Sequence, residues 1–300
     1  MGLSQALNTA ISGLRANQAA LSLVSSNVAN AETPGYVRKT VTQIQTVAGD
    51  GTNVRVTGVN RELDTYVQKQ VLTETSGAAY ADVRSNALAN LQGVYGDPSS
   101  DGTIEATVNN LTSALQALST SPDSTAARTT VINAAQSLAQ QINSTSQGIQ
   151  SLRSNAESAI NSSVDTANNA LQQIASINNQ LLGTSGNDAA SASLLDQRDQ
   201  YITQLSQLLD IRVVTNGNNQ VNIFTKLSFN PQGTVTPNTQ WSADPSKSNL
   251  GSITLSFPHG GSVDLVATNA IRSGAIAGYL ELRDNTLVQA QAQVDQLAAS

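Results

Sequence analysis

The chain has 300 residues, a formal net charge of −6, and 39% apolar, 3% aromatic and 12% charged residues. It has no Cys, which excludes disulfides and thiolate metal sites, and no basic cluster, which argues against a nucleic-acid partner. No apolar run reaches membrane-spanning length, and a lone histidine, His259, leaves imidazole chemistry without a second ring.

Length allows two domains or one elongated one. Much of the remaining composition is Ala, Ser, Thr, Asn and Gln, which suits thin helical bundles packed through small side chains. Sustained apolar periodicity separates the chain from the disordered Ser/Gln/Asn-rich class. The expected fold is therefore mainly α with small β parts: an elongated bundle of long coiled-coil-like helices, a β-hairpin near residues 37–59 and a small β-rich region near 211–270.

The first element is a helix whose apolar stripe repeats at heptad spacing. Leu7, Leu14, Leu21 and Val28 hold one seam position, and Leu3, Ala10, Asn17 and Val24 the other. Such a seam calls for another helix, and Asn17 within it is the kind of buried amide that selects register. It could also pack within its own chain, against the helices from Arg61 onward. Pro34 and Gly35 end the helix. Met1-Gly2-Leu3-Ser4 has no basic n-region and polar Asn and Gln interrupt the apolar positions, so a cleaved secretory signal is not expected.

Val37 to Val47 is rich in Val, Thr and Ile, and Gly49-Asp50-Gly51 leads into alternating Val54 and Val56, a hairpin signature. Arg61-Glu62 then opens a helix to about Val94. The segment from Tyr95 to Gly102 is a loop, and Ile104 to Leu118 a further helix. Ser121-Pro122-Asp123 offers an N-cap and a first-turn proline. From there apolar residues recur through Leu138, Ile142, Ile149, Leu152, Ala156, Ile160, Ala167, Leu171, Ile174 and Leu181. The double four-step at Leu152, Ala156 and Ile160 resembles a stutter. As one helix this segment would be about 85 Å long.

Gly183 to Asn187 turns the chain, and Leu194 to Leu209 folds back as a shorter helix. Its Asp196-Gln197-Arg198-Asp199 reads as a solvated face, the alternative being an inter-helix or intersubunit polar contact. Ile211 to Thr215 and Val221 to Phe224 form a second hairpin, and 230–250, with Trp241, reads as loop. Ile253 to Phe257 and Val263 to Val266 are strand candidates. Gly274 to Ala299 is helical, with Ile276, Leu280, Leu287, Val294 and Leu297 on one side. This last pattern has no stop, so the chain reads as the N-terminal portion of something longer.

Chemistry-bearing motifs are sparse. Asp97 to Glu105 lacks the ligand spacing of a calcium loop and reads as a turn with a helix cap. No Gly-rich segment has nucleotide-binding spacing. His259, in Pro258-His259-Gly260-Gly261, reads as an exposed turn residue without a nucleophile to serve. Asn110, Asn143 and Asn161 match glycosylation acceptors by chance. No catalytic residue, metal site or cofactor is expected. An exported helical effector or adhesin remains open from these features alone.

The run Ser12-Gly13-Leu14-Arg15-Ala16-Asn17-Gln18, followed by Val24 to Arg38 with Asn27, Asn30, Thr33, Pro34, Gly35 and Tyr36, resembles the N-terminal signature of bacterial flagellar rod, hook and hook-associated proteins. Ser26 stands where that signature usually carries a second Asn. Asn53 to Val56 with Val59 to Asp64, Ser119 to Asp123 with Ala126 to Arg128, Leu194 to Gln200, and Gly274 to Asp284 resemble the hook-associated protein 1 family, in the family's order. Rival axial relatives are hook-associated protein 3 and the hook protein.

The resemblance implies a structural protein of the hook–filament junction, not an enzyme. Its implied partners are copies of itself, the hook protein, a second junction protein, a flagellar export chaperone and the type III export apparatus, without nucleic acid or membrane. It implies an extracellular place in the flagellum, reached without a cleaved signal. The expected assembly residues are Leu3, Leu7, Leu14, Asn17, Leu21, Val24 and Val28. The expected organisation is an inner segment, 1–36, a helical domain from 37–210 with 271–300, and a β-rich insertion, 211–270.

Overall fold

The computed structural model describes all residues except 1, 49–50, 98–99, 185–187, 226–227, 230–233, 238–251 and 257–260. His259, Trp241 and most of the expected 230–250 loop therefore lie outside the described residues. In order, the elements are α1 (Leu3–Ala29), β1 (Lys39–Ala48), β2 (Gly51–Arg61), α2 (Thr65–Tyr95), α3 (Ile104–Thr120), α4 (Thr125–Leu182) and α5 (Ala189–Leu208). Then come β3 (Arg212–Thr215), β4 (Val221–Phe224), β5 (Ser228–Phe229), β6 (Thr234–Pro237), β7 (Ile253–Ser256), β8 (Ser262–Asp264), α6 (Ala275–Glu281), a π turn (Leu282–Thr286) and α7 (Leu287–Ala299). The fold is mainly α with small sheets, ordered β1-β2, β3-β4-β5 and β6-β7-β8.

Several boundaries differ from the sequence expectation for local reasons. Arg61 does not open a helix: it is the last residue of β2, paired with Lys39. Helix α2 starts after Asp64, whose carboxylate accepts from the backbone N–H of Tyr66 (2.8 Å) and Val67 (3.2 Å). Ser121 does not cap α4 but ends α3, donating its N–H to Ala117 (3.1 Å) and Leu118 (3.2 Å). Ser124 takes over, its hydroxyl accepting from Ala127 N–H at 3.2 Å. Thr103 caps α3 by accepting from Ala106 N–H at 3.1 Å.

The chain divides into two compact units. One gathers residues 1–75, 166–234 and 255–262. Its buried residues include Ala167, Ala170, Leu171, Ile174, Ile177 and Leu181 at the end of α4, and Ala192, Ile202, Leu205 and Leu209 of α5 and its C-cap. Asn178 fixes β4 to α4, donating to Val221 O (2.9 Å) and accepting from Val221 N–H (3.2 Å).

The other unit gathers 76–165, 235–254 and 263–300. Ile149 of α4 clusters with Leu282, Leu287, Ala290 and Val294, bordered by Val83, Leu91, Val94 and Tyr279. The expected single helix over 274–299 is interrupted by the π turn. That extra residue turns Arg283 inward, where it donates to Glu157 (2.6 Å) and Asp284 (2.5 Å). Burial alone would lower the Arg283 pKa, but hydrogen bonds to Asp284 and Glu157 raise it above the ordinary arginine value. Along α4 the buried positions include 149, 153, 156, 160, 164, 167, 171 and 174, with 157 and 170 beside them. The consecutive four-steps fall at Ala156, Ile160 and Val164, one step later than the expected Leu152, Ala156 and Ile160, because Leu152 is only half-buried.

Candidate assembly interface

Helix α1 is laid against its hairpin by the side opposite the leucines. Ala16 is buried, while Thr9, Ser12, Ala19, Ala20, Leu23 and Asn27 are half-buried on the same face. These are mostly small or polar side chains, which let the β-ribbon approach closely. The Ser12 hydroxyl donates to Thr9 O (2.8 Å) and accepts from Val54 N–H of β2 (3.2 Å).

The expected seam residues point the other way. Leu3, Leu7, Leu14, Leu21, Val24 and Val28 are exposed by 55% at Val24 to 88% at Leu3, and Asn17 is exposed with them. Ile11 widens the stripe at 37% exposed. Among the described residues the seam is uncovered, and packing of the seam against the helices from Arg61 onward is not what holds α1. Arg15 is the only charged residue of α1, so neither attraction nor repulsion between flanking charges restricts what the stripe meets.

The motif after α1 works as a joint. Asn27 makes a two-point clasp on Lys39, its Nδ2 donating to Lys39 O (2.8 Å) and its Oδ1 accepting from Lys39 N–H (3.0 Å). Tyr36 donates its hydroxyl to the same Asn27 Oδ1 at 3.0 Å, and Ser26 Oγ lies 3.3 Å from that hydroxyl. Asn30 Nδ2 returns to Ser26 O (2.9 Å), and Thr33 donates to Asn30 Oδ1 (3.3 Å). Gly35 has φ +78°, and a Cβ there would lie 2.7 Å from Gln200 Cγ. Only Gly meets both conditions without strain. Gln200 Nε2 in turn donates to Pro34 O at 3.1 Å.

Where a solvated face was expected on α5, the structure buries its charges. Asp196 and Asp199 are buried where they pair with the root of the β1–β2 hairpin, and Arg198 is buried beside Asp199 with its guanidinium on the Asn219 carbonyl. Lys39 pairs with Asp196 while its ammonium lies 3.8 Å from the Tyr36 ring centroid. Arg61 donates through Nε to Asp196 (2.8 Å) and through Nη2 to Asp199 (2.6 Å). Arg198 contacts Asp199 at 3.4 Å and donates to the Asn219 carbonyl. Burial holds the Arg198 pKa below the ordinary arginine value; Asp199 opposes that shift and nearby Arg61 adds to it. This is a polar contact, as in the inter-helix or intersubunit alternative, but its partner is a β-ribbon of the same chain.

Beside this cluster lies a groove of about 690 Å³, lined by Gly35, Tyr36, Leu63, Val67, Val71 and Gln204 among others. Among the described residues, no group of three or more His, Asp or Glu is placed to hold a metal ion. No described helix is long and apolar enough to cross a membrane.

A helical chain that displays a bare apolar helix on a polar-locked joint is built like a subunit of an assembly, and its opening segment matches a flagellar profile. Residues 7–36 match the profile described as flagella basal body rod protein, and residues 88–300 that of the flagellar hook-associated protein FlgK helical domain. The chain belongs to the flagellar hook-associated protein FlgK family.

It is 28% identical to flagellar hook-associated protein 1 of Escherichia coli (strain K12), over 99% of this chain and 55% of that protein. The protein of that name from Bacillus subtilis (strain 168) is 32% identical over 70% of this chain and 44% of its own length. The solved flagellar hook junction protein FlgK from Burkholderia pseudomallei is 26% identical with a TM-score of 0.65, covering 77% of this chain and 41% of that one. The chain thus spans about half the length of the relatives it matches.

Proposed function

We propose that the chain is a non-catalytic structural element of the bacterial flagellum at the junction between hook and filament. Family membership and the junction role named for the Burkholderia relative support this reading. The observation that carries the assembly mechanism is the uncovered seam of α1, held outward because the opposite face is bound to the hairpin. Leu3, Leu7, Leu14, Asn17, Leu21, Val24 and Val28 form the contact surface, and Asn27, Asn30, Thr33, Pro34, Gly35 and Tyr36 form its joint. Each leucine covered in the assembly contributes about 2 kcal/mol.

Residues 1–36 act as the inner segment, 37–210 with 271–300 as the helical domain and 211–270 as a β-rich insertion. The partners are copies of the chain, the hook protein, a second junction protein, and the export chaperone and type III apparatus that deliver it outside the cell uncleaved.

Sedimentation of the purified chain with isolated hooks tests this. Saturable binding at a fixed, small number of copies per hook, localised to hook ends by electron microscopy, is the expected result. Binding along hook sides, or none beside strong adhesion to cells, identifies an adhesin or effector instead.

A further inference from the structure

The two ends of the hairpin meet at one point. Lys39 begins β1, Arg61 ends β2, and they are cross-strand partners in the ladder. Two cations side by side repel unless anions face them. The anions come from α5, where Asp196 and Asp199 stand three residues apart and so share a helix face. Asp196 takes both Lys39 and Arg61, and Asp199 takes Arg61. All four side chains are shielded, between 7% and 11% exposed. Lys39 is also the residue whose backbone Asn27 of α1 clasps at both N–H and carbonyl. One residue therefore ties α1 by its main chain and α5 by its ammonium.

From this geometry we propose that Lys39, Arg61, Asp196 and Asp199 are positioning residues for assembly: a buried ionic latch that sets the direction in which α1 presents its seam. Apolar contacts at the ribbon root would hold it but would tolerate sliding. Paired charges in a low-dielectric setting are satisfied in one arrangement and strongly penalised in others. The latch acts through α1 and does not itself touch a neighbouring subunit. This rests on the reading of the seam as the assembly element.

Amide exchange by mass spectrometry on the full chain, with Asp196→Asn and Asp199→Asn made singly and together, tests the latch. The expected result is at least tenfold faster exchange in 40–48 and 52–61, unchanged exchange in 167–181 and 192–208, and at least tenfold weaker hook binding. Lys39→Arg, which keeps the charge, should restore most protection relative to Lys39→Met. Equal acceleration in every segment would overturn the proposal by making the cluster general core support. Unchanged exchange, or a freed hairpin with full hook binding, would overturn it too. If instead Leu14→Glu binds hooks normally, the seam reading fails and the latch's role in presenting the seam fails with it, whatever Asp196→Asn does. Normal protection and binding in Asp196→Asn beside lost binding in Leu14→Glu overturns the latch alone.

Discussion

Asn27 concentrates more of the joint than any other side chain of α1, because one amide satisfies both backbone groups of Lys39 and the Tyr36 hydroxyl. Replacing it by Ala leaves a buried N–H and C=O without partners, so Asn27→Ala should cost about 1–3 kcal/mol in urea denaturation. Gly35→Ala adds backbone strain at φ +78° to a close approach on Gln200. It should lose at least about 1 kcal/mol, which Gln200→Ala restores only in part because the φ penalty remains. The motif residues were readable as a set, but their partners were not. Asp196 and Asp199 sit in a polar stretch of α5, and nothing in linear order links them to Lys39 and Arg61. A signal did exist: isolated cations at both ends of an expected hairpin need carboxylates somewhere.

At the level of elements, periodicity carried most of the reading. The hairpin, the long α4 with its stutter and the α1 stripe all follow from spacing. What spacing does not give is direction: an apolar stripe normally faces the core, yet α1 turns its small and polar face to the ribbon. The π turn was equally hidden, since Leu280 and Leu287 are seven apart and fit an unbroken helix. Its phase shift is what brings Leu282 and Arg283 inward together with Leu287 and Val294. Deleting exposed Asn285 removes the one residue the π turn has in excess, so regular α geometry returns with α7 close to its present phase. Only a small fall in thermal midpoint is expected, set by the disturbed Arg283 contacts with Glu157 and Asp284. The same helix run packs tightly on α2: a Cβ at Gly278 would lie 2.9 Å from Val83 Cγ1 and 3.3 Å from Tyr80 O. Gly278→Ala should therefore destabilise by about 1–3 kcal/mol in a thermal melt.

For the molecule as a whole, the consistent theme is stability obtained inside each unit and an adhesive surface left out of both. One unit buries the end of α4 and α5, the other the α4–α7 cluster. The exposed leucines of α1 are required by neither. Seam substitutions should thus separate assembly from folding, which ordinary core substitutions cannot do. The most direct test is quantitative hook sedimentation of the chain carrying Leu14→Glu and Leu21→Glu together, with helical content and thermal midpoint recorded on the same samples. The account predicts hook binding reduced at least a hundredfold, as expected when two buried leucines worth about 2 kcal/mol each become charges, with an unchanged circular dichroism spectrum and midpoint. Wild-type binding by the folded double variant would contradict it, and would place the assembly surface somewhere other than α1.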